Sequence, residues 1–507
     1  MEKTKLLKKV STDEILEQIG EFGRFQWILD GIFCIMLLPA TFQTLIMYFA
    51  ALQPEWRCVA NSTICNLNGT FSSENEFRCG IPRSEWEFTQ PKDYSIVTEY
   101  DIYCDTEWIV NLSTSILFLG WSVGSMILGW LADNYGRKTV LFPSLFITLL
   151  IGAISPFVPN IFIFIGCRFV VGLFLPGTAL QMFIIISELV GGKHRPKAGL
   201  ILWIFLTVSF CLLGIKAYFI RQWKMLFVVC TVPYVFIFAF YKFVPESVRW
   251  LRLHGKYREA LNTLERIAAW NGTSLDKNIS LDDHLFQVHV TRPKPLFFFC
   301  RGNLLQKSFI QGYAWLVSGM IFYGFSLSAD QLGGSLYLNF ILVSLVELPG
   351  ICMALASCER FGRKRTVTIP MLIGGLVCGA IPIFESGLVA SNLGKVVLAL
   401  IGKMFITTSF NSIYTWSAEL YPTELRAEGL GFCQVTSRIG AALAPWVVKG
   451  FRVLHQSSPF LVMSALAIVS AVTLLFLPET KGEDLLEDVK DLKEMDENGN
   501  VYKEIEI

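Results

Sequence analysis

Five charged residues within long apolar stretches of the chain are candidates for chemistry, because charge is unusual there. Lys216 is not among them, because it is near the end of its stretch and can reach the interface. Glu347, Lys403 and Arg438 belong to the second half, and Asp30 and Arg168 belong to the first. A charged side chain at membrane depth is costly and normally faces a pathway or a partner charge. Carboxylates there can hold organic cations, whereas lysine and arginine can hold carboxylates. Asp30 is near one end of its stretch and can reach the interface. We expect the other four to bind a small charged ligand, with pairing between helices as the alternative for Arg168 and Lys403.

Aromatic side chains form a second group of candidate binding residues. Trp315, Phe322 and Tyr323 lie in one apolar stretch, and Trp315 and Phe322 share a helical face because they are seven residues apart. An aromatic face attracts a quaternary ammonium group by about 0.5–2 kcal/mol per ring. Aromatic residues make up 14% of the chain, so many rings must serve packing or face lipid. We expect these three rings to line the same site as the charges.

The composition indicates the elements that must position these residues. Of 507 residues, 53% are hydrophobic and only 17% are charged, against about 25% charged in soluble domains. A membrane-spanning helix uses about 20 apolar residues. The sequence therefore predicts an all-α membrane protein with about twelve spans and excludes a soluble enzyme, a disordered chain and, at a net charge of +1, a strongly basic nucleic-acid-binding protein. The predicted spans are Gln26–Met47, 109–130, 140–157, 161–187, 198–219, 223–244, 305–327, 335–357, 366–385, 395–417, 428–449 and 459–477.

Lysine and arginine in the short loops predict the orientation. They collect on one side of the membrane, which is the cytoplasmic side by the positive-inside rule. Both termini and the long middle loop then face the cytoplasm, at a surface membrane. The resulting organisation is a cytoplasmic N-terminus 1–25, a six-helix half 26–244 with a large extracellular loop 49–108, a cytoplasmic middle loop 245–303, a second six-helix half 304–477 and a cytoplasmic tail 478–507.

The extracellular loop carries marks of an oxidising compartment. The sequons at Asn61 and Asn68 predict glycosylation there. Four cysteines predict two disulfides, with all three connectivities left open. These cysteines are Cys58, Cys65, Cys79 and Cys104. The sequons at Asn271 and Asn278 fall in the cytoplasmic loop, and we expect them to be unused.

Three landmarks recur in the same order in the two halves, between 226 and 233 residues apart. An acidic turn ending in Gly-Arg-Lys follows the second and eighth spans, an acid seven residues before an arginine ends the fourth and tenth, and Pro-Glu ends the sixth and twelfth. Such self-similarity is typical of transporters built from repeated helical halves. We interpret the matched acids and bases as a cytoplasmic latch that forms in one conformation and breaks in another; the alternative is that the bases only fix orientation. The latch residues are Asp133, Gly136, Arg137, Glu188, Arg195, Glu359, Arg363, Glu419 and Arg426.

The block Gly129-Trp-Leu-Ala-Asp133-Asn-Tyr-Gly136-Arg137-Lys138, with its echo in the second half, resembles the signature of the major facilitator superfamily. Within it, Gly23-Arg24-Phe25-Gln26, Pro245-Glu246-Ser247 and Ala418-Glu419-Leu-Tyr-Pro422 resemble the organic cation, anion and carnitine transporter family of solute carriers. The resemblance covers essentially the whole chain. It implies two six-helix pseudo-repeats, transport of small organic ions by alternating access, and a latch for the outward-open state.

The charge pattern resembles the carnitine-type members of that family. Cation members share the acid at Glu347, whereas an arginine at Arg438 is similar to the anion and carnitine members, and Ile351 stands where anion members usually add a lysine. We therefore expect a polyspecific carrier of organic zwitterions and cations. Two alternatives stay open: an organic anion exchanger, and a non-transporting receptor or scaffold built on a carrier fold.

Enzyme signatures are absent from the sequence. It has no Walker-type phosphate loop, no Gly-x-Ser-x-Gly and only 5 histidines without metal-ligand spacing. We expect no enzymatic activity, no cofactor and no metal. The expected partners are small organic ions and the lipid bilayer, whereas the natural substrate, a coupling ion and the oligomeric state are left open.

Overall fold

The computed structural model describes most of the chain. The described residues are 8–9, 12–59, 62, 64–65, 69–71, 76–275, 279–280, 302–384, 392–422, 425–453, 455 and 457–482. The chain divides into two compact units, Met1–His289 and Val290–Ile507. Each unit is a bundle of helices with apolar interiors, so each is described in turn.

The first unit contains eleven α-helices among its described residues. They are α1 (Thr12–Gln18), α2 (Arg24–Leu45), α3 (Met47–Ala50), α4 (Ile96–Glu99), α5 (Trp108–Tyr135), α6 (Arg137–Ile154), α7 (Ile161–Leu189), α8 (Arg195–Phe219), α9 (Trp223–Thr231), α10 (Val248–Leu253) and α11 (Tyr257–Asn271). A 3-10 helix over Val232–Lys242 continues α9 and completes the sixth span. Pro233 stands at its start, where the missing N–H removes an α-helical hydrogen bond.

The second unit contains seven α-helices among its described residues. They are α12 (Gly302–Leu327), α13 (Leu336–Leu345), α14 (Glu347–Phe361), α15 (Arg363–Ala380), α16 (Asn392–Leu420), α17 (Arg426–Gly450) and α18 (Ser458–Leu474). In the described part of the chain, nine helical segments are long and apolar enough to cross a membrane, six in the first unit and three in the second. The helices α12, α17 and α18, of 26, 25 and 17 residues, bring the second unit to six. The predicted all-α membrane fold of two six-helix halves is confirmed.

The loop between α3 and α5 folds around a small sheet of its own. The described strands of the chain are β1 (Lys8–Lys9), β2 (Trp56–Cys58), β3 (Thr70–Phe71), β4 (Trp86–Phe88) and β5 (Ile279–Ser280). In the loop, β2 pairs antiparallel with both β3 and β4. Trp56 and Trp86 are buried in its core, and Arg83 stacks 4.2 Å from the Trp86 ring centre. This sheet explains how so long a connection can stay compact.

Hydrogen bonds of Asn271, the last residue of α11, connect this helix to the residues around α1 and the start of α2. The Asn271 side chain accepts a hydrogen bond from the Phe25 N–H at 3.0 Å and donates to the Ile19 carbonyl at 3.0 Å. Ile15, Leu16 and Ile19 are fully buried beneath it. The side-chain amide of Asn271, the first residue of a sequon that we expect to be unused, is therefore hydrogen-bonded within the fold.

Each unit also repeats one helix-capping device. The Glu246 carboxylate accepts hydrogen bonds from the Arg137 and Lys138 N–H groups at the start of α6, at 2.9 and 3.1 Å. In the second unit, Glu479 accepts bonds from the corresponding first two N–H groups of α15 at 2.8 and 3.4 Å. A carboxylate is stabilising at a helix N-terminus because the exposed N–H groups there carry partial positive charge. Gly136 and Gly362 precede these helices with φ of +108° and +92°, a backbone that favours glycine.

Candidate functional site

Six of the seven predicted binding residues lie in the second unit and form one connected group there. They join α12, α14, α16 and α17 through side-chain contacts. We call this group, with the two rings that complete it, the C-terminal cluster. Its members are Trp315, Phe322, Tyr323, Glu347, Lys403, Phe410, Tyr414 and Arg438.

Helical spacing places the members from α16 on one face. Lys403, Phe410, Tyr414 and Ser417 follow one another at intervals of seven, four and three residues, which is the repeat of one helical stripe. On α12, Trp315 and Phe322 are seven residues apart and share a face in the same way. The two stripes meet because α12 packs against α16.

The charged centre of the cluster is a buried ion pair between Lys403 and Glu347. The Lys403 Nζ lies 3.0 Å from the Glu347 Oε1, and the two side chains are 0% and 3% exposed. The Lys403 ammonium also donates to the Phe322 carbonyl at 2.7 Å and lies 3.4 Å from the Phe322 ring centre. The two residues predicted as separate ligand contacts are thus paired with each other.

Local backbone features bring Glu347 to this position. Glu347 begins α14, and the helix is interrupted at Val346 because Pro349 has no N–H to donate to the preceding turn. One residue later, Gly350 lets α14 approach α16 closely: a Cβ there would lie 2.9 Å from the Met404 carbonyl oxygen. The close approach holds Glu347 beside Lys403.

Aromatic rings extend the cluster from Phe322, the ring that contacts the ion pair. The Phe322 ring centre lies 5.2 Å from those of Phe410 and Tyr323, and Trp315 packs edge-on to Tyr414 at 4.3 Å. Trp315 is fully buried, and Phe322, Tyr323 and Phe410 are 6–7% exposed. The cluster thus combines aromatic faces with charge, which is the chemistry that holds organic ammonium groups.

Arg438 and Trp315 are oriented by polar partners. The Arg438 Nη1 donates to the Tyr323 hydroxyl at 2.9 Å. The Trp315 Nε1 donates to the Ser417 hydroxyl at 2.9 Å, which in turn donates to the Gln311 Oε1 at 3.1 Å. These hydrogen bonds hold the Arg438 guanidinium and the Trp315 indole in fixed orientations.

Arg168, the seventh predicted binding residue, lies in the first unit. It is buried and donates to the side-chain and backbone oxygens of Gln43, both at 2.8 Å. Asp30 is also fully buried in this unit, and neither of its carboxylate oxygens has a hydrogen-bond partner among the described residues. Sequence reasoning gave no partner for Arg168, because Gln43 is 125 residues away.

The latch residues divide into two groups of contacts. In the first unit, Arg137 bonds Asp133 at 3.0 Å and lies 3.8 Å from Glu188. In the second unit, Arg363 bonds Glu419 at 2.9 Å. The matching turns of the two repeats thus hold matching acid–base pairs.

Other latch residues have different surroundings. Arg195 bonds the Ser187 carbonyl at 3.0 Å and pairs with Asp13, which also pairs with Arg249 at 2.6 Å. Glu359 is exposed and forms no ion pair with the described part of the chain. Arg426 is half-buried at the start of α17.

The loop cysteines form two pairs. Cys58 is bonded to Cys65, and Cys79 is bonded to Cys104, with Cα–Cα distances of 5.6 and 5.7 Å. This pairing selects one of the three connectivities that the sequence left open. The glycosylation predicted at two asparagines falls outside the described residues; these are Asn61 and Asn68.

The sequence analysis missed four side chains that complete these sites. Phe410 and Tyr414 extend the C-terminal cluster, and their spacing from Lys403 is a signal that would have found them. Glu246 and Glu479 cap the repeated helices, and their recurrence was visible in the sequence without indicating what they bind. The repeat in the sequence marked the positions of Glu246 and Glu479, whereas the N–H groups that they bind are seen only in the structure.

Comparison with known proteins places the chain in a family. The profile of the family described as "Sugar (and other) transporter" matches residues 44–490. The "Organic cation transporter protein" of Drosophila melanogaster is 30% identical, covering 94% of this chain and 94% of its own length. "Solute carrier family 22 member 1" of Bos taurus is 30% identical, covering 96% of this chain and 93% of its own.

Solved structures show the same fold. The inward-open xylose transporter XylE from E. coli has a TM-score of 0.60 at 14% identity, covering 91% of this chain and 98% of its own. A partially occluded inward-open structure of the same transporter has a TM-score of 0.59 at 15% identity. At these identities the likeness concerns the fold alone. By its sequence matches and its fold, the chain belongs to the major facilitator superfamily of transporters, in the Sugar (and other) transporter family and within it to solute carrier family 22.

Proposed function

We propose that the protein carries small organic zwitterions and cations across the plasma membrane by alternating access, with the C-terminal cluster as part of the binding site. The observation that carries this proposal is the cluster itself. It joins a carboxylate, two basic side chains and five aromatic rings inside a membrane bundle, where unneeded charge is costly. Relatives that are named organic cation transporters support the same class of substrate.

The chemistry of the cluster suits a ligand with both signs of charge. A carboxylate can take two parallel hydrogen bonds from the Arg438 guanidinium, which is a stronger arrangement than a single bond. An ammonium group can lie against the aromatic face of Phe410, since the Lys403 ammonium already lies over that of Phe322. No cofactor, metal or nucleotide is needed for this function.

The latch is proposed as the gating device, on the side that the basic loops predict to be cytoplasmic. The Arg137 and Arg363 pairs fix the two repeated turns, and breaking them accompanies opening toward the cytoplasm. We expect Arg363→Ala to reach the cell surface but to favour inward-open states. Labelling of engineered cysteines from the outside should then fall relative to Arg363→Lys. If both cysteine labelling and transport stay at wild-type levels in Arg363→Ala, the interpretation of these residues as a latch is wrong.

An uptake panel in cells tests the function. We expect labelled carnitine to accumulate above vector-only cells, and labelled tetraethylammonium and benzoate to define the charge preference. Each substrate is measured with and without sodium, and uptake is divided by surface-labelled protein. No uptake of any probe by surface-expressed protein would favour the receptor or scaffold alternative.

An organic anion exchanger is a second candidate function. It is favoured by Arg438 and Lys403, which give the cluster more basic than acidic side chains. In the same panel, this candidate predicts benzoate uptake that is accelerated by an internal carboxylate and little transport of either ammonium probe.

A further inference from the structure

The surroundings of Lys403 match those that a bound organic ammonium ion requires. Its Nζ is 3.0 Å from a carboxylate oxygen of Glu347, 2.7 Å from a backbone carbonyl and 3.4 Å from the centre of the Phe322 ring. An ammonium group offers only donors, so acceptors and an aromatic face satisfy it completely. The side chain is fully buried, and no water is needed to complete this set.

We propose that Lys403 is a tethered cation that fills the ammonium position of the C-terminal cluster and thereby selects for substrates that carry a carboxylate. This inference rests on the proposed transport function and deepens it. It makes Lys403 a residue that determines specificity, rather than a second contact for the substrate. Permanent cations without a carboxylate are then the substrates that the unmodified protein handles worst.

The physical reason lies in how the buried Glu347 is neutralised. A buried ionised carboxylate requires a positive partner, and Lys403 supplies it in this structure. A substrate cation can reach Glu347 only by displacing the Lys403 ammonium, which then loses its own partner in a dehydrated site. A substrate carboxylate does not compete with Lys403 for Glu347, because it is directed to Arg438 at the other end of the Tyr323–Phe322 path.

The charges of the cluster point the same way. It contains two basic side chains and one acidic side chain, and the acidic one, Glu347, is already paired with Lys403. Opposite charges attract strongly where water is scarce. A second cation therefore has to compete with Lys403 for the carboxylate of Glu347, whereas an anionic group does not.

Replacing Lys403 by glutamine tests this inference. Lys403→Gln removes the tethered charge, keeps a hydrogen-bond donor and leaves Glu347 open to an external cation. We expect the ratio of tetraethylammonium to benzoate uptake affinity to rise about 10-fold or more, the factor that one favourable charge contact represents. Lys216→Gln is the matched control, because it removes the same charge from a lysine of the first unit that lies outside the cluster and bonds a carbonyl and a hydroxyl. It should leave the ratio within about twofold of wild type.

The double variant Lys403→Gln/Glu347→Gln separates specificity from packing. It removes both charges of the Lys403–Glu347 pair, so no unpaired charge is left at that position and it should fold at least as well as the single variant. It should also lose the gain in cation affinity, because the carboxylate is gone. All variants are compared at equal surface expression and with thermal melting of the purified protein.

The outcomes are distinguishable. A wild type that carries none of the three probes contradicts the proposed function. A wild type that transports, together with a Lys403→Gln variant that is expressed and keeps the wild-type ratio, overturns the tethered cation. If Lys403→Gln is poorly expressed, the double variant decides. A cation-to-carboxylate ratio close to that of wild type supports the inference, because any gain in cation affinity requires the Glu347 carboxylate. A raised ratio without Glu347 overturns it.

Discussion

At the residue scale, the central pair of side chains is Arg438 and Glu347. They lie at the two ends of a chain of contacts through Tyr323, Phe322 and Lys403. Each carries one sign of charge and is held by a named neighbour. Their types were visible in the sequence as charges at membrane depth. Their neighbours were not, because contact between α14 and α16 depends on the rotation of both helices and on the close approach at Gly350.

We expect Arg438→Ala to weaken the affinity for carboxylate substrates by about 10- to 150-fold, the equivalent of about 1.5–3 kcal/mol for a charged hydrogen bond. Tetraethylammonium affinity should be unchanged or improved, because a repelling charge is removed. Glu347→Gln should have the reverse preference, since Lys403 is then left without its counter-charge. Affinities for carnitine, tetraethylammonium and benzoate measure both effects.

The control for this pair is Arg438→Lys, which keeps the charge but loses the two parallel donors. It should fall between wild type and Arg438→Ala for carboxylates. Equal losses for all three substrates in both charge-removing variants would mean that these residues hold helices together and do not contact the ligand.

At the element scale, the repeated turn before α6 and α15 is the feature that the sequence indicated most clearly. Burial raises the pKa of Glu479, but bonds from four backbone N–H groups, those of Arg363, Lys481, Thr480 and Lys364, together lower the pKa below its ordinary value of 4.5. A group whose pKa is lower in the folded state stabilises the fold above its ordinary pKa. That contribution is lost as pH falls through the lowered pKa.

We expect Glu479→Gln to reduce the free energy of unfolding at pH 7 by about 0.5–2 kcal/mol, as for loss of a helix cap. The difference in melting temperature between wild type and variant should be largest at neutral pH and shrink below pH 4.5. Thermal melting of detergent-purified protein across this range measures it. Glu359→Gln removes the same charge from an exposed position and should shift the melting temperature little; an equal shift in the two variants would contradict the cap.

The helices themselves were largely predictable, since long apolar runs leave few alternatives in a membrane. Their interruptions were harder to place. The 3-10 segment Val232–Lys242 and the break at Val346 follow from prolines whose effect depends on neighbouring packing. The sheet in the loop between α3 and α5 was missed because its strands are two or three residues long and are stabilised by buried tryptophans and disulfides rather than by a hydrophobic pattern.

At the scale of the whole molecule, the repeats seen in the sequence correspond to two units with the same capped turn in both. The first unit has six candidate spans, and the second has three candidate spans and the helices α12, α17 and α18. Family membership adds that this architecture belongs to transporters. Substrate preference could not be read from the repeat, because it depends on side chains that differ between the halves. Lys403 and Glu347 belong only to the second unit.

Counter-transport in reconstituted vesicles tests the central claim most directly. A carrier that works by alternating access can exchange external for internal substrate, and this exchange is faster than net uptake where the return of the empty carrier is the slow step. Purified protein in liposomes preloaded with unlabelled carnitine should therefore take up labelled carnitine faster than protein in empty liposomes, and should transiently accumulate it above the external concentration. Two results would contradict the account: no carnitine uptake by correctly folded protein in liposomes, or an uptake rate that is the same with and without internal carnitine.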